Sequence, residues 1–191
     1  MESRVVAVIG AGTMGAGIAQ ICAQAGWHTR LYDAFPEGLE AGMHRIDAFW
    51  DKGIARGKTT PEQKSEWSGN LSACSDLAEA VSDVDLVIEA VPEILELKQQ
   101  IFEQLDQLAP PHAILGTNTS GLKISDIASE TSRPDLVIGM HFFNPVPIMK
   151  LLELVRHDEV SDSTIEFARE IGAAMGKSCI LVNDVPGFAT S

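Results

Sequence analysis

"RVVAVIGAGTMGAG", residues 4–17, is the stretch that decides the fold. A short run rich in valine and isoleucine reads as a strand and stops at Gly10. Gly10, Gly12 and Gly15 then fall in G-x-G-x-x-G spacing, and "TMGAGIAQICAQAG" (13–26) repeats small and apolar residues at helical spacing up to Gly26, a helix stop. The glycine pattern alone is weak, but strand, turn and helix in this order at the head of the chain predict a dinucleotide cradle. In it, Gly10 permits the tight turn, Gly12 lets the backbone approach a diphosphate, and Gly15 lets helix and strand pack closely. The diphosphate belongs at the helix N-terminus, where free N–H groups and the helix dipole favour negative charge. Gly10, Ala11, Gly12, Thr13, Met14 and Gly15 are the cofactor residues expected from this turn.

The next strand, "HTRLYD" (28–33), ends on Asp33, a position whose carboxylate can accept from the adenosine ribose hydroxyls. The same charge repels a 2′-phosphate, and no arginine follows in "DAFPEG", so NAD is expected over NADP. Alternation continues along the chain. Strands are read in "VDLVIEAV" (84–91), "AILGTNTS" (113–120), "LVIGMHFF" (136–143), "KLLELVR" (150–156) and "SCILV" (178–182). Helices are read in 94–109, 124–130 and 161–176, with a helical pair around "KGIARGKTTPEQ" between Pro36 and about Trp67. The pattern predicts an α/β, Rossmann-type doubly wound and mostly parallel sheet with helices on both faces and a helical-pair insertion at about 36–68.

Composition narrows the function classes. The chain has 191 residues, enough for one domain over 1–191, with 45% hydrophobic and 21% charged residues. No apolar run reaches the roughly 18–20 residues of a membrane span, and the N-terminus has no signal-peptide pattern. Twenty-seven acidic against 14 basic residues, a net charge of −13, oppose a nucleic-acid partner. Cys22, Cys74 and Cys179 show no CxxC spacing, so neither a zinc site nor a disulfide framework is expected and no metal is predicted. A cytoplasmic location fits these thiols.

Polar residues gather where strands end, the side on which doubly wound folds bind ligands. "EAVPEILELK" (89–98) brings Glu93 and Lys98 there, and "GTNTSG" (116–121) brings Asn118, in reach of a ribose, and Ser120, able to bond a substrate oxygen. His141 closes another strand ahead of Asn144 and the turn "NPVP", and Glu153 lies on the strand that follows. If that strand folds back, Glu153 meets His141, fixes its tautomer and stabilises its imidazolium. No G-x-S-x-G elbow accompanies them, so proton abstraction coupled to hydride transfer is expected rather than hydrolysis.

Taken together, "VIGAGTMGAGIAQ", "VIEAVPE", "NTS" and "GMHFFNPVPIMKLLELV" resemble the NAD-binding domain of the L-3-hydroxyacyl-CoA dehydrogenases, from residue 4 to the end of the chain. The resemblance implies NAD-dependent, reversible oxidation of (S)-3-hydroxyacyl-CoA to 3-oxoacyl-CoA, as in β-oxidation or 3-hydroxybutyryl-CoA metabolism. By it, His141 is the general base, Glu153 its orienter, and Ser120 and Asn144 hold the substrate C3 oxygen and the nicotinamide side. Asp33, Ala90, Val91, Glu93, Lys98 and Asn118 would contact NAD. The basic cluster Lys52, Arg56 and Lys58, with Ser120, would contact the CoA substrate. Two departures are expected to matter: Ser191 stands where the family has an asparagine ahead of an all-helical C-terminal domain, and Gly121 stands where a second small hydroxyl residue is common. That helical domain, through which members dimerise, is expected to be absent here, with turnover impaired. Two other readings remain open: a non-catalytic NAD-binding module, and a same-fold dehydrogenase acting on a free hydroxy acid.

Overall fold

The computed structural model describes residues 3–188; Ser191 therefore lies outside the described residues. Strand β1 (Val5–Ile9) runs through the core and leads into α1 (Thr13–Gln24), then β2 (His28–Tyr32). The expected helical pair is α2 (Pro36–Ala55) and α3 (Pro61–Gly69). Thr60 and Gln63 close a reciprocal capping box at the start of α3, which is why the chain breaks and restarts there. Then come β3 (Leu71–Cys74), α4 (Leu77–Val81), β4 (Leu86–Glu89), α5 (Leu95–Leu108), β5 (Ile114–Thr117) and α6 (Ile124–Ala128). After a 3₁₀ turn (Pro134–Leu136) the chain finishes with β6 (Val137–Phe142), β7 (Leu151–Arg156), α7 (Asp162–Ala174) and β8 (Ser178–Asn183).

These strands form one eight-stranded sheet in the order β3-β2-β1-β4-β5-β6-β7-β8. Strands β1 to β6 are parallel, β7 runs antiparallel to β6, and β8 is parallel to β7. The order reverses between β2–β1 and β1–β4, so a crevice opens beyond the carboxyl ends of β1 and β4. The fold is thus the doubly wound α/β arrangement read from the sequence, with β3 and α4 added to it. Two apolar cores flank the sheet. One packs Ile18, Trp27, Ile46 and Trp50 against Val6, Val8 and Leu154. The other packs Phe102, Leu105 and Ile127 against Ala7, Val87 and Leu115. With both faces covered, β1, β4 and β6 are almost wholly buried, which explains their unbroken apolar sequences. No helix among the described residues is long and apolar enough to cross a membrane.

Candidate active site

The turn after β1 has the geometry its glycines require. Gly10 adopts φ +103°, and a Cβ there would lie 2.6 Å from the Ala90 carbonyl oxygen. A Cβ on Gly15 would meet the Gly10 carbonyl oxygen at 1.7 Å. Gly12 is the opposite case: its Cβ would meet nothing within 4 Å, so the turn faces open space there. Helix α1 starts immediately after it, with no side-chain cap and no acidic residue in its first turn. Its first N–H groups and the positive end of the helix dipole face that space uncompensated. Asp33 spans the turn from β2: one carboxylate oxygen accepts from Ala11 N–H and the other from Phe35 N–H, both at 2.9 Å. Each oxygen retains lone-pair capacity for a sugar hydroxyl.

The turns after β4 and β5 are tied from below. Glu89, fully buried, accepts from Lys98 Nζ (2.6 Å), Val91 N–H (2.7 Å) and the Thr117 hydroxyl (2.7 Å). Burial raises the Glu89 carboxyl above its usual range against the opposing pull of these donors. Lys98 Nζ also donates to the carbonyls of Val91 and Asn118, at 3.2 and 3.3 Å. This corrects the expectation for Lys98. Its side chain is fully buried and spends its ammonium on the framework, so it shapes the two turns and does not line the cleft. Above it, Glu93 accepts from the Thr119 hydroxyl and from both the N–H and the hydroxyl of Ser120. Burial raises the Glu93 pKa, and the donors of Ser120 and Thr119 outweigh it, leaving this carboxyl below its usual value. Asn118 uses its side-chain oxygen to accept from Phe142 N–H, at 3.0 Å, beside His141.

Antiparallel pairing of β6 and β7 sets His141 directly opposite Glu153. His141 Nδ1 lies 3.5 Å from Glu153 Oε1. That is longer than a formed N–H···O hydrogen bond; such contacts in ligand-free sites often tighten when substrate arrives. Glu153 is fully buried and His141 is 6% exposed. Phe143 lies against the imidazole at 4.5 Å between ring centres, and Phe188 meets it edge-on at 5.7 Å. Burial lowers the His141 pKa below its ordinary value, while Glu153 and then Glu93 push it back up. The ring is therefore held neutral, with Nε2 on the side away from Glu153. The following loop, with a cis Asn144–Pro145 bond, is pinned by Lys177 Nζ, which donates to the carbonyls of Val146 and Met149 at 2.5 Å each.

These elements enclose a cleft of about 720 Å³, within the range of small-molecule and cofactor sites. Of the residues expected there, Gly10, Gly12, Thr13, Met14, Asp33, Ala90, Val91, Glu93, Asn118, Ser120, His141 and Asn144 line it. Ala11 and Gly15 belong to the turn's framework, and Glu153 stands behind His141. Lys52, Arg56 and Lys58 are exposed at the end of α2 and in the loop beyond it, outside the cleft lining. A smaller groove of about 90 Å³ shares Thr13 and Asn144 with the cleft and is walled by Arg45 and Phe49 of α2. Sequence reasoning missed Phe35, Phe143, Phe188 and Thr119, and it placed Glu89 at its strand end without giving it a role. Only Glu89 carried a signal, as an acid at the end of an apolar strand. Among the described residues, no three His, Cys, Asp or Glu side chains gather as a metal site.

A model of the NAD-binding domain of 3-hydroxyacyl-CoA dehydrogenase matches residues 5–185. The chain belongs to this family. It is 43% identical over 191 residues to a probable 3-hydroxybutyryl-CoA dehydrogenase of Bacillus subtilis (strain 168), covering all of this chain and 66% of that one. It is 41% identical over 183 residues to the 3-hydroxyadipyl-CoA dehydrogenase of Escherichia coli (strain K12), covering 96% of this chain and 38% of that one. The crystal structure of (S)-3-hydroxybutyryl-CoA dehydrogenase from Ralstonia eutropha superposes with a TM-score of 0.95 at 36% identity, over 99% of this chain and 66% of that one. The chain thus spans just under two thirds of the length of these 3-hydroxybutyryl-CoA dehydrogenases. NAD is the family's dinucleotide, and the site fits it: open space at Gly12, an uncapped helix start for the diphosphate and a carboxylate at the ribose position.

Proposed function

We propose that residues 1–191 form one NAD-binding domain that carries the proton-handling half of a 3-hydroxyacyl-CoA dehydrogenase. The reaction is the reversible oxidation of an (S)-3-hydroxyacyl-CoA to the 3-oxoacyl-CoA. The observation that carries this reading is His141 opposite Glu153 at the mouth of a dinucleotide cleft. Bound NAD supplies the acceptor for the hydride that leaves substrate C3. Neutral His141 takes the C3 hydroxyl proton on Nε2, and Glu153 holds Nδ1 and stabilises the imidazolium as it forms. Ser120 and Asn144 hold the C3 oxygen and keep the substrate against the nicotinamide side. Ser120 is already oriented by Glu93, and Asn144 by the Lys177-pinned loop. Lys52, Arg56 and Lys58 offer an otherwise acidic surface a positive docking point for the CoA phosphates. Family relatives named for hydroxybutyryl and hydroxyadipyl substrates support a CoA thioester over a free hydroxy acid.

The test is NADH-dependent reduction of acetoacetyl-CoA, followed by NADH absorbance, in the chain and in His141→Asn. The variant should lose on the order of 10²–10⁴-fold in rate, the size of a general acid–base contribution, while binding NADH normally. A chain that binds NADH but leaves acetoacetyl-CoA unchanged, both alone and fused to the remaining part of the Bacillus subtilis relative, would overturn the reading.

A further inference from the structure

The loop that carries Asn144, residues 143–150 between β6 and β7, has few bonds of its own. Pro145 and Pro147 have no N–H to donate. The loop's internal hydrogen bonds converge on one acceptor, the Pro145 carbonyl, which takes Ile148 N–H and Met149 N–H at 3.0 Å each. The Val146 and Met149 carbonyls are both taken by a single donor from outside, Lys177 Nζ, at 2.5 Å each. Lys177 sits in the turn between α7 and β8, after Gly176 (φ +78°), and its own N–H closes that turn on the Gly172 carbonyl at 2.9 Å. The ammonium thus ties two segments that are distant in sequence.

This cation is poorly placed for its own sake. No carboxylate among the described residues pairs with Lys177, and Lys150 beside it carries the same charge. Burial, and then Lys150, push its pKa below the ordinary lysine value. Neutral carbonyls compensate a desolvated ammonium less fully than a carboxylate would. A charge kept against the local balance marks a functional position when nothing structural offsets it.

What the ammonium holds lies at the reacting end. Val146 is buried and packs on the cofactor helix α1 at Gly17, where an added Cβ would come within 2.8 Å of the Val146 Cβ. Two residues earlier, Asn144 lines the cleft. The Asn144 side chain makes no hydrogen bond among the described residues. Its place is therefore set by the loop backbone alone.

We propose that Lys177 is a positioning residue for the dehydrogenase reaction: through the Val146 and Met149 carbonyls it holds loop 143–150 on α1 and so sets Asn144 at the substrate C3 oxygen. The inference rests on reading Asn144 as a substrate contact. Lys177 does not itself line the cleft, so its removal should act on the chemical step and spare the dinucleotide cradle.

The experiment is a double-mutant cycle of Lys177→Met and Asn144→Ala. Acetoacetyl-CoA reduction is measured in the 191-residue chain and in its fusion to the remaining part of the Bacillus subtilis relative, with an NADH titration and a thermal melt of each variant. Lys177→Met keeps the aliphatic stem and removes the donors. It should lower kcat about 10–100-fold, the cost of a displacement on the order of 1 Å at the reacting end, while NADH affinity stays at the parent's level. In the Asn144→Ala background the same substitution should cost little more, because the group it acts through is gone. Lys177→Gln, which can still donate to one carbonyl, takes its place if the melt shows Lys177→Met unfolded. An unchanged kcat in a folded variant, or losses that multiply in the double variant, would overturn the assignment. A parent that binds NADH and turns over nothing in either form would instead overturn the dehydrogenase reading and the assignment with it.

Discussion

Glu89 and Lys98 meet at 2.6 Å with neither side chain exposed to solvent, directly beneath the two turns that form the middle of the cleft. The pair holds Val91 and Asn118 rather than any ligand. Lys98→Met would leave a buried carboxylate without its cation, and breaking such pairs from one side costs about 3–5 kcal/mol. Urea unfolding should show that loss, and Glu89→Gln combined with Lys98→Met should recover at least half of it. A single variant as stable as the parent would show that the pair does not hold the turns.

Gly12 and Gly15 separate binding from folding. Gly12→Ala places its methyl in open space, so stability should be nearly unchanged while NADH affinity falls, because the diphosphate must come close there. Gly15→Ala drives a methyl into the Gly10 carbonyl, a 1.7 Å contact that backbone cannot avoid without moving. It should lower the melting temperature by several degrees at least. Thermal melts and NADH titration of the two variants check both outcomes.

The His141 dyad has a defined pH signature. Burial holds the histidine below its ordinary pKa and Glu153 raises it, so removing Glu153 lowers it further. Oxidation of the hydroxyacyl substrate needs neutral His141, so its rate should rise with pH through a value below about 6.5. Glu153→Gln should slow the reaction about 100-fold and move that acidic limb to lower pH. An upward move would contradict the proposed pairing. The linkage sign follows as well. A histidine depressed in the folded state favours folding while it is neutral, and that contribution is lost as pH falls below the free-histidine value.

Asp184 fastens the chain beyond β8. Its carboxylate accepts from Ile124 N–H (2.8 Å) and Ser125 N–H (2.9 Å), capping α6 from a distant segment. The chain then doubles back to set Phe188 against His141. Asp184→Ala should cost about 1–2 kcal/mol, in line with lost caps, or about 2–8 °C in melting temperature for a domain of this size. Freed of the Phe188 edge, His141 should titrate closer to an ordinary histidine, which imidazole NMR shifts would record.

What was legible in the sequence follows from the range of the interactions involved. The Gly10–Gly15 turn and the strands β1, β4 and β6 could be read because local steric demands and continuous burial leave a direct mark on residue choice. The His141–Glu153 pairing could be read because the two strands are consecutive and joined by a proline-marked turn, "NPVP". Lys98 was misplaced because nothing in "EILELK" distinguishes a cleft-facing lysine from one turned inward to Glu89; only the packed arrangement of β4, β5 and α5 decides it. Strand β3 escaped notice because "LSAC" is short, polar on one face and half-exposed, with only β2 to pair with. Phe35, Phe143 and Phe188 look like ordinary apolar residues in sequence; the first two adjoin site residues along the chain, and only Phe188 is brought to His141 from a distant segment.

The reversal of β7 divides the molecule's working parts by chain segment as well as by chemistry. The dinucleotide cradle draws on the turns after β1, β2, β4 and β5, spread over the first 120 residues. The base and its orienter sit on one uninterrupted segment, residues 137–156, whose two strands pair with each other. The distance from base to orienter is thus set by one strand pairing, whereas the shape of the cofactor cradle depends on four separate turns being held together.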